Sequence, residues 1–120
     1  MLIVVMEHLQ LLKMNTDKTC FVLDDEDIIF SSQAKGVKPL KDFSEKYGSS
    51  NKPLIVVDRI MGKGAVILAG LIGAKVIVTP IISEIALSHA KGQGINAHFV
   101  KVVPYIVNRT GDGRCPIETA

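Results

Sequence analysis

Two short, uninterrupted apolar runs, Leu54-Ile55-Val56-Val57 and Val76-Ile77-Val78, constrain this chain more than any other feature. A strand with one face in water alternates apolar and polar residues, whereas a strand covered on both faces does not. Between the runs lies Gly62–Ile72, apolar almost throughout and closed by Gly73. Strand, helix and strand in that order predict a right-handed crossover between parallel strands, with helices packed on the sheet. A second unit of the same kind follows. Residues 82–91 read as a helix with Ser83 as its cap and Gly92 and Gly94 at its end, and Ala97–Val100 reads as a further strand.

The first half is organised differently. Leu2, Val5, Met6, Leu9 and Leu12 fall on one stripe at helical spacing, which predicts a helix over residues 2–14. Thr19–Leu23 reads as a strand, Asp24-Asp25-Glu26-Asp27 as an acidic turn and Ile28–Phe30 as the returning strand of a hairpin. The acidic turn lacks the spacing of a calcium loop. Val37–Tyr47 is helix-like, with Pro39 tolerated in its first turn. The hairpin makes the sheet mixed. The expected architecture is α/β: a three-layer α/β/α sandwich around a mixed five-stranded sheet. Residues 1–120 are read as a single domain, with 104–120 as a C-terminal tail.

Composition narrows the function classes. A chain of 120 residues buries enough surface to fold without a metal or disulfide. Aromatics are 5% and Trp is absent, so the core is aliphatic and stacking platforms for RNA are not expected. The formal net charge of +2 is too balanced to imply a nucleic-acid partner. Cys20 and Cys115 are too few and too far apart for a disulfide framework or a zinc ligand set. Cys20, inside a strand-like run, is read as a buried and inert thiol. The reducing cytosol is then the expected compartment, and the localisation cytoplasmic. Met1–Met6 is apolar but is interrupted by Glu7 and His8, so it is read as neither a leader nor a membrane span. Ile3, Val4 and Leu11 widen the apolar stripe of the first helix beyond one core contact. That excess predicts a homo-oligomer, most simply a homodimer.

A set of short motifs runs along the chain: Asp17-Lys18-Thr19-Cys20, Gly36-Val37-Lys38-Pro39-Leu40, Asp58-Arg59, Gly62-Lys63, Ile82-Ser83-Glu84 and Pro104-Tyr105-Ile106. The closing run is Asn108-Arg109 with Gly111, Gly113 and Cys115-Pro116-Ile117-Glu118. Together these resemble a small prokaryotic family, a domain of unknown function placed in the cytidine-deaminase-like superfamily. The resemblance implies the sandwich fold named above. It implies no reaction, because fold does not carry function. Zinc deaminases need a His or Cys two residues before a catalytic Glu, and a later Pro-Cys-x-x-Cys opening a helix. Neither pattern is present, and His8, His89 and His98 are scattered, so zinc-dependent deamination and a metal site are not expected.

Three stretches carry candidate binding residues. Asp58–Gly64 joins a buried strand to a helix, where ligands of open α/β sheets bind. Gly62 permits close approach to the helix N-terminus, and Arg59 and Lys63 add positive charge for an anion. The structural alternative is a tight turn with Asp58 and Arg59 paired to each other. Ser83 and Glu84 enter the next helix on the same sheet edge and would hydrogen-bond a ligand. The alternative there is an N-cap and a first-turn acid. In the tail, Arg109 suits a phosphate and Asn108 a polar edge of the ligand, and Cys115 and Glu118 are the weak catalytic candidates; a frayed end is the alternative. The expected function is binding of a phosphate-bearing small molecule, a nucleotide, with no resident cofactor. The rivals are an enzyme of unassigned reaction and an accessory protein-interaction module.

Overall fold

The computed structural model describes residues 2–106, with side chains from residue 5 onward. Ten elements follow one another: α1 (Leu2–Met14), β1 (Cys20–Asp24), β2 (Asp27–Ser32), α2 (Lys38–Tyr47), β3 (Leu54–Asp58), β4 (Ile60–Met61), α3 (Lys63–Ile72), β5 (Ala74–Ser83), α4 (Glu84–Gly92) and β6 (Asn96–Val103). The strands form one mixed sheet. β1 pairs antiparallel with β2 and with β3, while β3, β4 and β6 all run parallel to β5.

The sheet has six strands, not the expected five. The extra strand has a physical origin in β5, which runs ten residues to Ser83 and so outlasts β3. The backbone groups along that unpaired stretch need partners. After a one-residue break at Arg59, Ile60 and Met61 supply them by pairing with Ile81 and Ile82. Pro80 falls opposite the break, where a residue without an N–H is tolerated in a ladder. The stretch Thr79–Ser83 is thus strand rather than helix entry, and α4 begins at Glu84.

Alternation along the central strands sorts their side chains onto two faces. Cys20, Val22, Leu54, Val56 and Ile77 pack with Leu40, Phe43, Val66, Ala69 and Ala86 of the α2, α3 and α4 layer. Phe21, Leu23, Val57 and Val78 pack with Leu12 of α1 on the other face. α3 is the most deeply set helix, with Gly64, Ala65, Val66, Ala69 and Ile72 buried. It ends at Gly73 in the left-handed conformation (φ 102°). A Cβ there would stand 2.9 Å from the Ser50 carbonyl oxygen, so this position requires glycine twice over. No helix among the described residues is long and apolar enough to cross a membrane.

Candidate functional site

The parallel register brings two helix entries together. Met61 pairs with Ile82, so Gly62 and Ser83 are the next residues on adjacent strands, and Lys63 and Glu84 open α3 and α4 side by side. Four of the expected ligand residues therefore share one sheet edge. Gly62, the N-cap of α3, is extended and has no side chain to cap the helix. Ser83 is different. Its Oγ accepts from the Ala86 N–H at 3.1 Å and the residue is fully buried, which is the N-cap reading. Glu84 is exposed in the first turn of α4, where a carboxylate complements the helix dipole.

Asp58 and Arg59 face opposite sides of the sheet, as neighbours on a strand must. Arg59 turns to α1. Its guanidinium donates to the carbonyls of Leu12 (2.7 Å), Asn15 (2.9 Å) and Lys18 (2.7 Å). These are end-of-helix and loop carbonyls, of which Asn15's also accepts the Lys18 N–H, so the cation is committed to holding α1 and the approach to β1. The expectation that Arg59 adds charge for an anion, and the alternative that it pairs with Asp58, both give way to this role.

Asp58 lies beside Cys20 in the antiparallel register, on the α3 side, and is only 4% exposed. The β3–β5 register, carried one residue beyond Val57 and Val78, sets it beside Thr79, which is also buried. Its Oδ1 accepts from the Arg59 backbone N–H at 2.8 Å, which turns the carboxyl toward the end of the strand. Its Oδ2 is buried with no hydrogen-bond partner among the described residues. Loss of solvent pushes its pKa up to about 7, against the opposing pull of the Arg59 and Ile60 N–H groups and the Arg59 charge. Burial also raises the Cys20 thiol pKa well above its usual value, with the Asp58 carboxylate adding to it. Cys20 is therefore an inert thiol, as expected.

Sequence reasoning missed two buried polar groups. Thr79 donates its hydroxyl to the Ile81 carbonyl at 2.9 Å, bridging the Pro80 step. His8, on α1, is buried with its Nδ1 unpartnered; burial lowers its pKa, Glu7 opposes that shift and His98 on β6 adds to it. Only the interruption of an apolar run by a histidine hinted at the second. Asn108, Arg109, Cys115 and Glu118 lie outside the described residues. Among the described residues no three His, Cys, Asp or Glu side chains are grouped as a metal ion requires. Open grooves elsewhere are lined by Ile29, Phe43 and Tyr47, and by Lys35, Lys38 and Lys41 with Asp42 and Glu45.

The matched family is a domain of unknown function, DUF1893, whose model spans residues 9–120. The chain belongs to the DUF1893 family. A crystal structure of a DUF1893 family protein from Thermotoga maritima superposes with a TM-score of 0.82 at 21% identity, covering 96% of this chain and 76% of that one. At that identity the likeness shows the shared DUF1893 fold. A comparison with curated proteins finds no match.

Proposed function

We propose that this DUF1893 domain binds a phosphate-bearing small molecule, a nucleotide, at the carboxyl edge of the sheet. In this reading the fold is of the cytidine-deaminase-like type, with the zinc chemistry absent. The observation that carries the proposal is the pairing of a buried carboxyl, one of whose oxygens has no hydrogen-bond partner among the described residues, with a helix N-terminus that has no side-chain cap, at Gly62 four residues further along. A buried unpaired oxygen costs stability and is retained where something else satisfies it. The α3 N–H groups and Lys63 suit a phosphate. The free oxygen of Asp58 suits a donor such as a sugar hydroxyl, with Glu84 at the rim. The sequence adds Asn108 and Arg109 as further contacts. Arg59 and Ser83 drop out of the ligand set, since one holds α1 and the other caps α4.

Titration calorimetry with a panel of nucleoside mono-, di- and triphosphates tests this. Binding is expected, and Lys63→Ala is expected to weaken it about tenfold or more, the equivalent of one charged hydrogen bond. Lys75→Ala, at the opposite end of β5, is the control; Lys41 is unsuitable because it lines a basic groove of its own. A sugar hydroxyl bonds best to the ionised carboxylate, so affinity is expected to rise between pH 6 and 8. Asp58→Asn flattens the part of that rise not due to the phosphate itself. No binding anywhere in the panel, or full affinity in Lys63→Ala, would refute the proposal.

A further inference from the structure

Among the described residues the sheet has two long free edges, and they are built differently. β2 carries a bulge: Val22 pairs with Phe30 and Leu23 with Ile28, which leaves Ile29 as the extra residue, turned into the groove with Phe43 and Tyr47. A bulge and an acidic turn at its start are devices that blunt an edge against further pairing. β6 has neither. It keeps one unbroken register with β5 from Asn96 to Val103, and its outer backbone groups have no strand beside them among the described residues. Val100 is 71% exposed, and Phe99 and Val102 are exposed as well. The one charge on the strand is Lys101.

We propose that β6 pairs antiparallel with β6 of a second copy, about a two-fold axis at Val100. Charge and shape select this register. With the axis at Lys101, two ammonium groups would stand directly opposed, which is destabilising. With the axis at Val100, each Lys101 stands opposite the Phe99 ring of the other copy, a cation over an aromatic face. On the α1 side of the sheet, Val100 and Val102 of both copies join into one apolar stripe, with a His98 at each end. A self-complementary patch of this kind closes as a dimer and does not propagate. The expectation of a dimer through α1 moves to this edge. Of the side chains described on α1, Val5, Leu9, Leu11 and Leu12 already pack against the sheet, and only Met6 and Met14 are exposed large hydrophobics.

Paired strands alone bury area at the low end for a specific interface, so dissociation in the range of about 1–100 μM is expected. Sedimentation across that range should show a monomer–dimer equilibrium, and Val100→Lys should give a monomer with an unchanged circular-dichroism spectrum. Site-specific oxidation fixes the register in a Cys115→Ser background, Cys20 being buried. Residues opposed on the axis stand about 4.5–5.5 Å apart, within disulfide reach. Val100→Cys should therefore cross-link efficiently. Val102→Cys, about 13 Å from its counterpart at 3.3 Å per residue, should not. A monomer at about 100 μM, a dimer indifferent to Val100→Lys, or equal cross-linking at the two positions would overturn the proposal.

Discussion

Asp58 is the residue at which folding and ligand chemistry pull against each other. Its carboxyl holds a proton more tightly in the folded chain, at about 7, than in the unfolded chain, at about 3.9. A group with a raised folded pKa binds more protons when folded, so stability falls as pH rises from about 4 to about 7 and stays lowered above that. Three units correspond to about 4 kcal/mol. Asp58→Asn keeps the acceptor for the Arg59 N–H and removes the buried charge. It is expected to be more stable than the wild type by about 2–4 kcal/mol at pH 8 and nearly equal to it at pH 4. Urea denaturation at the two pH values measures this, and equal stability at pH 8 would show that Oδ2 is satisfied in solution. That an acid sits here was legible in the sequence. That it lies under α3 with one oxygen unpaired was not, because burial depends on strands distant in sequence.

At the scale of elements, the attachment of α1 shows how a single side chain can replace a capping motif. α1 has no glycine near its end; Asn15 follows Met14, and its side-chain amide donates back to the Leu11 carbonyl. The Leu12 and Asn15 carbonyls are met by Arg59, from the break between β3 and β4 44 to 47 residues away. Arg59→Ala removes three charge-assisted bonds and is expected to cost about 3 kcal/mol or more, with the helical signal of α1 loosening first. Arg59→Lys keeps the charge but not the planar fork, and should recover less than half. Hydrogen exchange of α1 amides, combined with denaturant unfolding, reads both effects. The helix boundaries themselves were predictable to within two residues, because Thr16-Asp17, Gly48, Gly73 and Gly94 act locally. The function of Arg59 was not, because a cation in a strand-to-helix turn looks the same whether it faces a ligand or another helix.

For the whole molecule, the two faces of the sheet are filled unequally. Among the described residues, three helices cover one side and α1 the other. β6 is left at the border with exposed valines, which is where the dimer proposal arises. The metal expectation also belongs to this scale. A zinc site needs at least three good ligands brought together, and the described residues group none. Dialysed protein is therefore expected to hold zinc well below one equivalent. Elemental analysis giving about one zinc per chain would reopen hydrolytic chemistry for this DUF1893 domain.

The apolar runs at Leu54–Val57 and Val76–Val78 determined a parallel core, and the hairpin and helix punctuation determined a mixed sheet with four helices. Those features are local or periodic, so a single sequence carries them. The sixth strand was decided only in three dimensions, because Ile60-Met61 is too short to carry a strand signal and forms one only beside the overhang of β5. The division of labour between Asp58 and Arg59 was decided there too. Alternation guarantees that two neighbours on a strand face opposite ways, but only the packed layers settle which face meets α3 and which meets α1.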